Sequence, residues 1–329
     1  GNTMKFIDMH CDTIARIGDF RQQGKNCSLN SNPLQLDIVR MKEAGYLMQT
    51  FALFIDKGNT KHLLEDSMYL LDIFYTEMEK NSEWIRPVTS AKQLLINEKE
   101  GKMSALLAVE EGGVCLGRMD LLRNFYRLGV RLLTLTWNYE NEIGFPNKVM
   151  ENIPFGKPET EHGIKETGIY FLEEMERLGM IIDVSHLGDA GFYDVCRYTK
   201  KPFLASHSNS RTICPHVRNM TDEMIRMLAE RGGVMGINFA SGFTEYQEGR
   251  GEVGTIDGLI RHMKYIVNLA GIEAVGLGTD FDGIERNIEM DDCSMMPILA
   301  ERMKKAGFSE EEVEKICYKN MLRFIQEVL

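Results

Sequence analysis

The sequence predicts an α/β fold, a (β/α)8 barrel of the TIM type, and three observations predict it. About eight short apolar runs, rich in β-formers and bounded by Gly, Pro or charged residues, recur along the 329 residues. Runs of this kind read as strands buried on both faces of a parallel sheet. Amphipathic segments of helical periodicity separate them, so strands alternate with helices. The Gly-rich fingerprint of an open, nucleotide-binding sheet is missing, which leaves a closed barrel as the expected arrangement.

Taken in order, the strands are expected at MKFIDM (4–9), YLMQTFALFI (46–55), SALLAVE (104–110) and VRLLTLTW (130–137). They continue with MIIDVSH (180–186), PFLASH (202–207), GVMGINFA (233–240) and AVGLGTD (274–280). Helical periodicity falls between them over 61–80, 119–129, 169–179, 221–232 and 256–271. Several of these segments end in Gly, a common helix C-terminal signal. The fourth opens on Thr221 as N-cap with acids in its first turn. No low-complexity linker interrupts the series, so one catalytic domain over 1–329 is expected.

Composition narrows the function classes. Hydrophobic residues make up 43% and charged residues 26%, the balance of a globular protein with a sizeable core. A formal net charge of −11 and the lack of any basic run argue against nucleic acid and against an acidic membrane surface as partners. No run approaches the roughly 18 apolar residues of a membrane span. No charged leader precedes an apolar run, so a cytoplasmic protein is expected. The seven scattered cysteines form no CxxC pair and read as reduced thiols.

In such barrels the active site lies at the C-terminal ends of the strands. Here the first strand ends in His10-Cys11-Asp12, the third in Glu110-Glu111, the fifth in His186, the sixth in His207 and the eighth in Asp280. Three of the seven histidines therefore fall at strand ends. Residues i and i+2 of an extended chain point the same way, so His10 and Asp12 can face one ion while Cys11 turns away. Glu110, favoured over Glu111 by the alternation along ALLAVE, can bridge two cations with its two oxygens. Imidazole and carboxylate together suit zinc, and less exclusively manganese or cobalt. Two ions ~3.5–4 Å apart can share a water and give hydroxide at neutral pH. Asp280, not spent on metal, would take the proton and pass it to the leaving group. Asp8 and Asp183, within strands, read equally as ordinary salt-bridge partners and as supports for ligands. His62, His162, His216 and His262 lack the strand-end placement, and the 21 methionines read as core filling.

The motifs IDMHCDT, ALLAVEEGG, RLLTLTWN, ERLGMIIDVSH, PFLASHSNSR, VRNMTDEM and VGLGTDFDG, in that order, resemble the renal (membrane) dipeptidase family of zinc peptidases. The similarity runs from about residue 5 to the C-terminus. It implies a dipeptidase with two zinc ions on an amidohydrolase-like barrel, acting through a bridging hydroxide and accepting a C-terminal D-residue. By motif, His10 and Asp12 look like ligands of one zinc, His186 and His207 of the other, with Glu110 between them. Asp280 is similar to the family's acid/base. Arg218 looks like the residue that grips the substrate's terminal carboxylate, which its guanidinium fork suits. Mammalian members carry a His after the LTLT strand; this chain has Trp137, followed by Asn138, at the place expected to contact substrate. An indole donates one hydrogen bond but neither binds metal nor shuttles a proton. The resemblance further implies a homodimer. Two rival readings remain open: a binuclear amidohydrolase acting on another small amide or a lactone, and a catalytically silent peptide-binding barrel.

Overall fold

The protein is described by a computed structural model over residues 4–285 and 289–329. The strands are β1 (Phe6–Asp8), β2 (Tyr46–Phe54), β3 (Met103–Glu110), β4 (Val130–Thr134), β5 (Ile181–Asp183), β6 (Leu204–Ala205), β7 (Val234–Ile237) and β8 (Val275–Leu277). Each pairs in parallel with the next in this order, β2 joins β3 directly, and β8 returns to β1 through Asp8 and Leu277. The sheet is therefore a closed eight-stranded parallel barrel with helices between its strands.

Period-two alternation divides the side chains of β3 between two buried clusters. Ala105, Leu107 and Val109 face the surrounding helices. Leu106 and Ala108 join Leu132, Ile181, Leu204 and Val234 in a second cluster, to which the last helix, Asn320–Val328, adds Met321 and Phe324. The same parity carries Glu110 onto the face of Leu106 and Ala108. Two glycines let β6, β7 and β8 approach closely. A Cβ on Gly236 would stand 2.2 Å from the carbonyl oxygen of Ser206, and one on Gly278 only 1.7 Å from the same atom.

The helices follow the predicted segments closely. Leu63–Lys80, Met119–Arg127, Glu166–Leu178, Asp222–Glu230 and Ile256–Ala270 fill the five periodic stretches. Thr221 does cap its helix, accepting from the Met224 N–H. Among the described residues no helix is long and apolar enough to cross a membrane.

Two features differ from expectation. Apart from β3, which runs through Glu110, the strands are shorter than the apolar runs, because the chain leaves the ladder before His10, His186, His207 and Asp280. His186 and Asp280 take positive φ values of 72° and 64°. Such backbone is costly for residues with a Cβ, and it concentrates at functional sites. The second difference is an additional strand, Ile85–Val88, which pairs with the first half of β3. Its IRPV sequence carries a proline and no alternation, so pattern reading passes over it. Such a proline suits this edge position.

Candidate active site

Six strand ends bring nine of the sequence-predicted residues to one mouth of the barrel or just behind it. His10 Nε2 lies 3.3 Å from Asp12 Oδ1, 3.4 Å from Glu110 Oε1 and 3.5 Å from Asp280 Oδ1. On the other side, Glu110 Oε2 lies 3.2 Å from His186 Nε2 and 3.3 Å from His207 Nε2, and these two nitrogens are 3.1 Å apart. The two oxygens of Glu110 thus face two separate sets of donors. His10 and His207 stack with ring centroids 3.7 Å apart. All of these side chains are buried or nearly so.

Neighbours fix the ring protons. His186 Nδ1 is 2.9 Å from Asn138 Oδ1, an acceptor, so the ring proton sits on Nδ1 and Nε2 keeps its lone pair. His207 Nδ1 is 2.7 Å from Ser206 Oγ, whose own proton goes to Asp183 Oδ2 at 2.6 Å. The hydroxyl must therefore accept from His207 Nδ1–H, which again leaves Nε2 bare. Asp183 is held in turn by Thr134 Oγ1 at 2.6 Å and by the backbone N–H groups of Ser185 and Ser206. Sequence reading left Asp183 between a salt-bridge partner and a support; it supports His207 through Ser206. Ser206 is not legible in the sequence, since a serine in SHSNS carries no signal of its own.

Three lone-pair atoms, His186 Nε2, His207 Nε2 and Glu110 Oε2, converge with no proton to share. Beside them His10 Nε2 and Asp12 Oδ1 are buried without a hydrogen-bond partner among the described residues. Buried polar atoms of this kind call for a partner, which a divalent cation would supply. The donors are imidazole and carboxylate, which fit zinc. Gly283 leaves space at the same point, because a Cβ there would meet Asp12 Oδ2 at 2.0 Å and Asp280 Oδ1 at 2.4 Å.

The charge balance follows the same geometry. Burial disfavours a charged His10, but Glu110 and Asp12 beside it outweigh that and hold its pKa well above the usual range. Glu110, although buried, is held well below the carboxylate range by His10, His186 and His207. Burial pushes Asp280 up to about 6. Asp280 Oδ2 accepts from Asn238 Nδ2 at 3.1 Å, so its other oxygen faces His10.

Glu111 takes no part in this cluster. It turns away at φ 127° and accepts from Gly113 N, Trp137 N and Asn141 Nδ2, anchoring the loop after β4. Cys11 donates to the Thr50 carbonyl, and burial pushes its thiol well up, out of nucleophile range. Asp282, the second acid of TDFDG, accepts from Thr13 Oγ1 and the Gln35 N–H. His262 is fully buried, bonded to the Ser210 N–H and the Thr244 carbonyl.

A cavity of about 490 Å³ opens over the cluster, with Asp12, Glu110, Trp137, Asn138, His186 and Asp280 in its wall. Arg218 is not in the wall. It is 4% exposed, donates to the His207 carbonyl at 2.8 Å and to Ser208 Oγ at 3.3 Å, and lies 5.2 Å from the ring of Phe243, which does line the cavity. Its Nε is buried with no partner among the described residues.

A family model described as membrane dipeptidase (peptidase family M19) matches residues 2–329. An uncharacterized dipeptidase of Schizosaccharomyces pombe is 30% identical over 300 residues, covering 87% of this chain and 70% of the relative. Among solved structures, the metallopeptidase called dipeptidase AC is 25% identical, covers 99% of each chain and superposes with a TM-score of 0.89. A Rhodobacter sphaeroides metallopeptidase, liganded with a phosphinate mimic of L-Ala-D-Ala, is 24% identical with a TM-score of 0.87 over the whole of both chains.

Proposed function

The chain belongs to the membrane dipeptidase family, peptidase family M19, and is a metallopeptidase that hydrolyses dipeptides; on that premise we propose that it works with two zinc ions and accepts a D-residue at the C-terminal position. The observation that carries the two-ion reading is Glu110, whose oxygens face His10 at 3.4 Å on one side and His186 and His207 at 3.2 and 3.3 Å on the other. His10 and Asp12 would hold one ion, His186 and His207 the other, and Glu110 both. Cations held by these residues would supply polarisation of the scissile carbonyl and a lowered pKa for the attacking water.

The chain's own groups do the rest. Asp280, whose Oδ1 lies 3.5 Å from His10 Nε2 in the cavity wall, takes the proton of the attacking water and hands it to the departing amine. Asn238 keeps that carboxylate turned toward the substrate side. Arg218 sits behind Phe243 at the cavity edge with its Nε unpartnered, and we assign it the terminal carboxylate of the substrate. That grip limits substrates to dipeptides, because a longer chain has no carboxylate at that distance from the scissile bond. Asn138 serves by holding His186, and Trp137 by walling the cavity.

The test is a panel of free dipeptides with L- or D-residues at the C-terminus, run with added zinc beside the same dipeptides as C-terminal amides. Free dipeptides should be hydrolysed, D-Ala at the second position included, and the amides should be poor substrates. Arg218→Ala should lower kcat/KM for free dipeptides about 30-fold or more, the loss of one buried charge partner. Equal turnover of the amides would instead favour an amidohydrolase that ignores the carboxylate.

Ser206→Ala removes the hydroxyl between Asp183 and His207 without touching a ligand. Zinc affinity, measured by competition with a chromogenic chelator, should weaken about 10- to 100-fold. An unchanged affinity would mean that the hydroxyl does not hold the imidazole.

A further inference from the structure

We infer that the cavity selects dipeptides whose N-terminal residue carries a large apolar or aromatic side chain, seated against Trp137 and Phe54. This deepens the dipeptidase reading and rests on it.

Four large apolar side chains line the cavity: Phe54, Trp137, Phe243 and Ile284, all half-buried. Phe54 and Trp137 meet edge to face with ring centroids 4.8 Å apart, and Tyr139 backs the indole at 5.8 Å. The indole is also fixed from its backbone. Trp137 N donates to Glu111 Oε1 at 3.0 Å, and Glu111 Oε2 receives Gly113 N and Asn141 Nδ2, both at 2.6 Å. A wall held in this way gives up little freedom when a side chain packs on it.

Barrel topology sets which end of the substrate meets that wall. Phe54 ends β2 and Trp137 follows β4, whereas Arg218 follows β6 and Phe243 follows β7. In a closed ring of eight strands these pairs stand on opposite sides of the mouth, with the His10, Glu110, His186 and His207 cluster between them. A dipeptide spans only ~7 Å in extended form. With its carboxylate at Arg218 and its scissile bond over the cluster, its first residue reaches the Phe54 and Trp137 side. An indole there offers surface rather than proton transfer, and a hydrophobic pocket discriminates by size of apolar group.

The experiment uses the zinc-loaded enzyme and a series Phe-Ala, Leu-Ala, Ala-Ala, Asp-Ala and Lys-Ala. Phe-Ala and Leu-Ala should exceed the other three in kcat/KM by roughly 10-fold or more. In Trp137→Ala the ratio of Phe-Ala to Ala-Ala should collapse to within about threefold, and Trp137→Phe should restore part of it. A binding readout accompanies the kinetics. The chain has two tryptophans, so Trp84→Phe leaves Trp137 as the sole indole. Its emission should shift on saturation with a phosphinate mimic of Phe-Ala. The inference is overturned if Ala-Ala, Asp-Ala or Lys-Ala matches Phe-Ala, if the ratio survives in Trp137→Ala, or if the emission does not respond. A zinc-loaded enzyme that turns over no dipeptide brings down the dipeptidase reading and this one with it, whereas turnover without the ranking overturns the selectivity alone.

Discussion

Replacing Glu110 by Ala should lower kcat/KM by about three orders of magnitude or more, and the purified protein should hold fewer than two tightly bound divalent ions. The side chain is 2% exposed, and each of its oxygens faces a different donor set. On the two-ion proposal its removal would take one ligand from each ion, and it leaves three imidazoles without a shared anion. Polarisation of the carbonyl and activation of water each supply several kcal/mol, and each 1.36 kcal/mol is tenfold in rate. Elemental analysis after dialysis, beside a thermal melt to confirm folding, checks it. A folded variant that keeps both ions would show that Glu110 does not join the two sites.

Asp280→Asn is the complementary experiment, with an expected fall of about 10²- to 10⁴-fold in kcat, the usual worth of a positioned acid/base. The amide is nearly isosteric and its oxygen can still accept from Asn238, which now holds the carboxylate at 3.1 Å. What it cannot do is accept a proton. Metal content should therefore stay at the wild-type level while turnover is lost. Joint loss of metal and turnover would make Asp280 a ligand, its oxygen being 3.5 Å from His10 Nε2. A barrel that binds peptides without chemistry would have no turnover to lose.

Much of this site is legible in the sequence because parallel barrels place chemistry at one predictable location. His10, Asp12, Glu110 and His207 can be read from where the apolar runs stop. Alternation along β3 separates Glu110 from Glu111, since Leu106, Ala108 and Glu110 share a parity. What the sequence conceals is of two kinds. Local backbone departs from the strand pattern where His186 and Asp280 adopt positive φ without being glycine; nothing in the residue type announces that. Long-range hydrogen bonds are also invisible: Ser206 meets Asp183 across 23 positions and Asn138 meets His186 across 48. Asn138, expected at the substrate, spends its side-chain oxygen on that histidine. The second acid of TDFDG looks as reactive as the first, yet Asp282 ties the segment to Thr13 and Gln35.

The close packing of β6 against β8 has a meaning for how far the centre can be altered. A methyl group on Gly278 would collide with the Ser206 carbonyl and stand 3.0 Å from the Cα of His207. Bare backbone therefore packs directly beneath His207, whose ring stacks on that of His10. Exchanging ligands to change metal preference would act on side chains above a backbone that is already in contact. Room for that backbone contact is a property of two hydrogens on a glycine.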